Sequence, residues 1–405
     1  MPETGLPAAP VHRPTLAVYA VWHPASAAGG RLAEVLFEEL FRGLGIPVFY
    51  RSVAAREDLG LPLPVPFDAA RHSAVFVLAD RKMALARDQG WGEYVRDLLA
   101  ATASAQSPHR VVPVLLDEAA VKVQEGGLPP QGIRVNEQPE DLRDVYFLSR
   151  AAHELCRLLL AELDETGGAP PAPRDASSKP VKLFLSHSKA DGLDRIQDLK
   201  SYIESKSVFD LFFDANDIAP GYLFTEEIEA NLADPRAALL VLLTDSYATR
   251  PWCRKEVIIA KRFGRPVVIV HAVRRGESRC FPYLGNVPAL RIDRLEEPWT
   301  AADCERVLRQ TLLEVLRQTY LRLHLRDLLA EQQSLPPGAI TLPRAPELLT
   351  SLYEPVKTPE KETGPRVGLY PDPPLGDEEL EVLGLLNSGI VWLTPAMLPL
   401  LRRPA

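Results

Sequence analysis

Short apolar runs alternate with segments of helical period through the middle of this chain, and that alternation narrows its fold more than any other feature. Residues 181–185 (VKLFL) read as a strand, and Leu193, Ile196, Leu199 and Ile203 then recur at helical spacing. Residues 210–213, 238–243 and 266–270 are further strands, and 289–292 reads as a fifth. A short helix is expected over 225–232 and a longer one over 251–263. Strands of this kind joined by helices imply a parallel sheet covered on both faces. Ligands of such sheets bind beyond the carboxyl ends of the strands. Three of those ends carry polar chemistry: Ser186, His187 and Ser188 at one, Asp214 to Asp217 at another, and 245–252 at a third.

The third end runs into Tyr-Ala-Thr-Arg-Pro-Trp-Cys-Arg-Lys-Glu, residues 247–256. Pro251 suits a first helical turn, because its φ is fixed and its missing N–H is not needed there. With Thr249 as the N-cap, Glu256 falls in the second turn, where the macrodipole no longer explains a glutamate. Trp252 and Glu256 are four apart and share a face that continues through Ile259, Ala260 and Phe263, so both are expected to point inward. An inward carboxylate is costly unless it has a partner or a task. Arg254 and Lys255 cannot be that partner, since adjacent helix residues do not face each other. A structural and a functional carboxylate both remain open on the pattern alone.

The chain has 405 residues, which fits about two or three domains. Its net charge of −8 and lack of a long basic block argue against direct binding of nucleic acid. Cys156, Cys253, Cys280 and Cys304 form no CxxC pair, so a zinc site or disulfide framework is not expected. Reduced thiols fit a cytoplasmic protein, and no apolar run reaches membrane-spanning length. Proline marks the boundaries. Residues 165–180 (ETGGAPPAPRDASSKP) read as a linker, and a second Pro-rich region spans 335–374. The expected division is 1–164, the 165–180 linker, 181–333, and a Pro-rich segment with an apolar tail over 334–405.

The segments KLFLSHSKADG, FFDANDIAPGYLFTEEIEANL, ALLVLLTDSYATRPWCRKEV and RPVVIV occur in the order and spacing of a Toll/interleukin-1 receptor (TIR) domain, and residues 182–292 resemble that family. The resemblance implies a flavodoxin-like parallel sheet with helices on both faces. It implies that Glu256 matches the glutamate with which enzymatic TIR domains cleave NAD, and that Trp252 and Cys253 match the residues before it. DANDIAPG resembles the family's BB loop, through which TIR domains self-associate, here Asp214 to Gly221 and including Asp217, Ile218, Pro220 and Gly221. Prokaryotic relatives of this type act in anti-phage defence, depleting NAD or making a cyclic ADP-ribose signal. Other TIR domains are adaptors without activity.

The residue types fit such a reaction. Breaking the nicotinamide–ribose bond leaves positive charge on the ribosyl carbon and ring oxygen. Nicotinamide leaves as a neutral molecule, so one carboxylate suffices where an ordinary glycosidase needs two. NAD is then the substrate, and no cofactor is required. Trp252 or Phe224 offers a face for stacking on the nicotinamide or adenine. Backbone N–H groups and hydroxyls of Ser186, His187 and Ser188 offer a phosphate site. Asp214 is a candidate substrate contact, although an acidic loop also suits solvent or an interface. His187 equally fits a histidine that only bonds backbone. Cys253, near a helix N-terminus, has no base evident beside it. No GxxxxGK[ST] or EF-hand pattern is present.

The N-terminal segment repeats the plan. Residues 16–21, 46–50, 74–78 and 111–116 read as strands, with a helical stripe at Leu32, Val35, Leu36, Leu40 and Leu44 and a helix over 91–100. Trp91 opens that helix, and four residues later stands Val95 where the middle segment has Glu256. A second, degenerate TIR-like domain without the acid is therefore expected, either regulatory or purely structural. A third possibility is that it binds a nucleotide to which the middle domain responds. Residues 301–333 form a strong helix. The apolar residues over 377–401 require cover, from the protein itself or from a partner such as another defence protein. The leading reading is an NAD glycohydrolase switched on by self-association. The alternative is a non-enzymatic scaffold. A concave site at Glu256 favours the first, and a filled groove or buried salt bridge the second.

Overall fold

The computed structural model describes residues 13–53, 61–104, 107–124, 131–165, 180–206, 210–213, 224–276, 281–292, 297–331, 339–349, 366–386 and 389–402. Asp214, Asp217, Ile218, Pro220, Gly221 and Cys280 lie outside these residues. The chain divides into two compact units, residues 1–134 and 135–405.

The first unit holds strands β1 (Leu16–Trp22), β2 (Val48–Arg51), β3 (His72–Ala79), β4 (His109–Leu115) and β5 (Ile133–Arg134), with helices α1 (Ala27–Leu36), α2 (Arg81–Leu85), α3 (Trp91–Thr102) and α4 (Val121–Gln124). The sheet is parallel, in the order β2-β1-β3-β4-β5. All eight residues of β3 are buried, as expected of a central strand covered on both faces. Ser26 caps α1 by accepting from the Gly29 N–H at 3.0 Å. The helical stripe expected through Leu44 continues past α1 as a π-helical stretch, Phe37–Arg42. Trp91 and Val95 are 3% and 2% exposed and pack in the core with Val21, Val77 and Met83. Val95 thus fills its site with hydrocarbon.

The second unit begins with α5 (Arg143–Glu165). It continues through β6 (Lys182–His187), α6 (Leu193–Lys206), β7 (Asp210–Phe213), α7 (Phe224–Ala233), β8 (Ala237–Leu243), α8 (Pro251–Arg262), β9 (Val267–His271), β10 (Ala289–Arg291) and α9 (Ala301–Glu331). Its parallel sheet runs β10-β9-β8-β6-β7. Numbered within the unit this is the same 2-1-3-4-5 order as the first sheet, the flavodoxin-like arrangement. β8 (AALLVLL) is buried throughout and pairs with β6 from Lys182↔Ala237 to His187↔Leu242. Gly264, at φ 62°, ends α8. Its N–H donates to the Lys261 carbonyl at 3.0 Å and the Arg265 N–H to Ala260 at 2.8 Å, the paired bonds of a Schellman cap.

The sequence division at 164 places α5 with the N-terminal segment, whereas α5 belongs to the second compact unit and packs on α9. Ser149 meets Glu305, the Cys156 thiol donates to the Leu312 carbonyl, and Glu162 meets Arg326. The partners advance together along both helices, so the two run side by side in the same direction. The seam holds a buried charge. Glu305 is fully buried and accepts from Arg150 Nη2 at 2.8 Å, Ser149 Oγ at 2.5 Å and Tyr202 OH at 2.8 Å. Glu305→Ala would strand the Arg150 guanidinium in the interior. It is expected to destabilise the unit by about 3–5 kcal/mol in a denaturant titration; a change within about 0.5 kcal/mol, the usual surface scale, would show that the cluster is not a stabilising clasp.

The tail is folded onto the second unit. A parallel three-stranded sheet forms from β11 (Ile340–Thr341), β12 (Arg366–Leu369) and β13 (Ile390–Leu393), with α10 (Asp377–Leu386) beside it. Val367, Leu369 and Leu393 cluster with Leu325 of α9, while Tyr370, Leu383 and Trp392 form a second cluster. Gly368 is required there, because a Cβ would lie 2.4 Å from the Trp392 ring. The chain itself therefore supplies much of the cover that the tail was expected to need. Val382 and Leu385 remain exposed.

Candidate functional site

The site is assembled at the carboxyl edge of the second sheet, where β6 and β8 end. β6 delivers Ser186 and His187 as its last two residues, followed by Ser188; all three are buried. β8 ends at Leu243, and the chain passes through Thr244, Asp245 and Ser246 into the short turn Tyr247–Thr249 and then α8. Arg250 is the residue at the N-cap position, not Thr249, and it makes no side-chain capping bond. Pro251 is the first helical residue, as expected.

The inward stripe of α8 differs from the one read in the sequence. Cys253, Glu256, Val257 and Ala260 are buried, spaced by three and four, with Ile259 beside them. Trp252 is 49% exposed, with the Lys255 ammonium 5.2 Å from its ring centroid. Helical side chains lean toward the N-terminus, and Trp252 in the first turn has no earlier turn to lean on. Trp252 and Glu256 are thus separated, one exposed and one buried.

Glu256 is 4% exposed. Ser186 Oγ donates to its Oε2. Tyr247, fully buried, places its OH 2.6 Å from the same Ser186 Oγ and 3.4 Å from the Cys253 carbonyl. Burial pushes the Tyr247 phenol well above its ordinary value, and the charge of Glu256 adds to the push, so it stays protonated. The Cys253 thiol donates to the His187 carbonyl at 3.4 Å, which fastens α8 to the end of β6. Cys253 therefore serves as a packing thiol.

A second polar cluster forms the rim. Asp191 accepts from Thr244 Oγ1 at 2.7 Å, Ser246 Oγ at 2.6 Å and the Ser246 N–H at 3.0 Å, and Ser188 Oγ lies 2.6 Å from Ser246 Oγ. Burial pulls the Asp191 carboxyl upward, but the bonds from Ser246, Thr244 and Ser188 outweigh it and hold the group below its usual value. The clasp is therefore intact above the ordinary carboxylate range and is lost as pH falls through the lowered value. Asp245 accepts from the backbone N–H groups of Arg274, Arg275 and Gly276 at 2.9 to 3.2 Å, tying the end of β8 to the loop after β9.

Of the candidates named from the sequence, Ser186 contacts Glu256, His187 and Ser188 follow it at the same strand end, and Trp252 is exposed one turn before Glu256 on α8. The backbone of Phe224 begins α7. Tyr247, Asp191, Thr244 and Ser246 were not singled out as site residues. Tyr247 was in plain view in the 247–256 motif. Asp191 stands five residues after Ser186, and only folding brings it to the β8 end.

Residues 183–308 match the family described as the TIR domain. No curated protein matches the chain. Among solved structures, a chain of the activated Roq1 resistosome directly recognising the pathogen effector XopQ (TIR domains) is 17% identical, with a TM-score of 0.20. That match covers 23% of this chain and 58% of the resistosome chain, so the chain spans little over half of that relative. A protein from Silicibacter pomeroyi DSS-3, described as a candidate phosphosugar isomerase, is 16% identical with a TM-score of 0.21, covering 76% of this chain and 86% of that one. Among the described residues, no helix is long and apolar enough to cross a membrane. The parallel sheet, its helices and the matched span agree: residues 183–308 are a TIR domain within a longer α/β chain.

Proposed function

We propose that this chain is an NAD glycohydrolase of prokaryotic anti-phage defence, releasing nicotinamide from NAD to leave ADP-ribose or a cyclic form of it. The observation that carries the reading is Glu256. A carboxylate is enclosed at the carboxyl edge of a doubly wound sheet, on the first turns of the helix that follows the central strand, and is held by a serine hydroxyl. Such a group is placed to stabilise the positive charge that develops as nicotinamide departs. The charge lies where water is largely excluded, so its effect on a nearby cation is stronger than at a surface.

Only 4% of Glu256 is exposed, so NAD reaches it only after the edge opens. This fits a chain held inactive until TIR domains associate through residues 214–221. The exposed Trp252 is then the stacking face, and Ser188 and the Asp191 clasp border the phosphates. The same enclosure favours a second reading, in which Glu256 is a satisfied structural carboxylate and the domain is a scaffold for a partner. Nicotinamide release by the assembled protein separates the two.

We read the first unit as a degenerate TIR-like copy with a regulatory or sensing role, because its sheet has the same strand order and Val95 stands where the acid would be. Residues 1–134 alone are expected to release no nicotinamide from NAD, even at high concentration. Turnover by that fragment, followed by chromatography of nicotinamide, would show that the reactive site had been placed in the wrong unit.

A further inference from the structure

The seat of Glu256 contains a directional chain of hydroxyls. Ser186 Oγ donates to Glu256 Oε2, which commits its only proton. The short contact of Tyr247 OH with Ser186 Oγ, 2.6 Å, must then have the phenol as donor. The phenol's other contact, to the Cys253 carbonyl, is 3.4 Å and much weaker. Exposures of 0% for Tyr247, 1% for Ser186 and 4% for Glu256 keep water from replacing either hydroxyl. The three groups come from three elements: the end of β6, the turn after β8, and α8.

We propose that Tyr247 and Ser186 are positioning residues for Glu256, a phenol-to-serine-to-carboxylate relay that fixes the orientation of the carboxylate and favours its ionised form. The proposal rests on the reading of Glu256 as the group that acts on NAD. A phenol polarises the serine hydroxyl it donates to, and the polarised hydroxyl makes a stronger bond to an anion than to a neutral acid. Among the described residues, titratable groups next to the relay in the chain are Cys253, one turn earlier on α8, and His187, the residue after Ser186 on β6. Glu229 of the neighbouring α7 is engaged with Arg262 near the far end of α8. Tyr247 is therefore the group whose removal isolates the relay, since Tyr247→Phe keeps the ring that packs in the core around β8 and deletes only the oxygen.

The test uses the full chain as wild type, Tyr247→Phe, Ser186→Ala and Glu256→Gln. Nicotinamide release from NAD is measured as kcat and KM from acidic to mildly basic pH. The Glu256 carboxyl is followed by carbon-13 NMR with labelled glutamate, its signal identified by its loss in Glu256→Gln. Tyr247→Phe is expected to lower kcat by about three- to tenfold, the scale of one neutral hydrogen bond, and Ser186→Ala by about tenfold or more, the scale of one hydrogen bond to a charged group. KM should be unchanged, and the acid limb of the profile and the carboxyl titration should both move to higher pH. A purely structural relay would lower stability without moving either. Wild-type kcat and an unmoved titration in a folded Tyr247→Phe chain would overturn the proposal. If even the assembled wild type releases no nicotinamide, the NAD reading falls, and the titration alone decides the relay. An upward shift in Tyr247→Phe supports it, and an unmoved midpoint overturns it.

Discussion

Glu256→Gln is expected to cut nicotinamide release by at least about two orders of magnitude, the usual scale for removing one electrostatic stabiliser of a transition state. The substitution keeps the shape of the side chain and can still accept from Ser186. It removes the negative charge that stabilises the ribosyl cation left behind as nicotinamide departs. The effect should fall on kcat, because the charge interaction strengthens only as the bond breaks. The variant should stay folded by circular dichroism, since an amide in that seat retains a partner in Ser186. Comparable turnover by wild type and variant would remove Glu256 from the reaction and leave the scaffold reading in its place.

The second large effect concerns control. Dilute monomer is expected to be nearly inactive, and activity is expected to rise more than linearly with protein concentration or on adding a crowding agent. The enclosure of Glu256 and Ser186 gives the physical reason, because a carboxylate sealed from solvent is also sealed from NAD. In the proposed reading, assembly supplies the free energy that opens the edge. In the sequence the loop suited to this is 214–221, where Pro220 fixes φ and Gly221 tolerates φ > 0. Gly221→Trp is expected to abolish the concentration dependence while leaving the circular dichroism spectrum unchanged. Full specific activity in demonstrably monomeric protein would contradict this account, as would a folded, assembled and active Gly221→Trp chain.

The parallel sheet of the TIR domain was legible because its strands are continuous apolar runs. Residues 237–243 have no polar residue to leave the face ambiguous, and Pro251 fixed where the following helix starts. The burial of Glu256 was legible from its spacing to Ile259 and Ala260. The orientation of Trp252 was not, because a shared helix face says nothing about how a first-turn side chain leans. The seat of Glu256 was hidden for another reason. Ser186 and Tyr247 lie 61 residues apart, and their contact depends on β6 and β8 being neighbours in the sheet. Helix α5 lay unread beside the Pro-rich linker, and its partner α9 is more than a hundred residues further on. The small C-terminal sheet was hidden because β11 and β12 are short and stand among prolines. Only the need to cover Leu383, Trp392 and Leu393 was visible.

The most direct test of the central claim is to incubate the full chain with NAD across a range of protein concentrations, with assembly followed by light scattering and products identified by chromatography and mass spectrometry. The account predicts that nicotinamide appears together with ADP-ribose or a cyclic ADP-ribose once the protein assembles, and that the Glu256→Gln chain assembles without producing either. Intact NAD after prolonged incubation with assembled wild-type protein would contradict it.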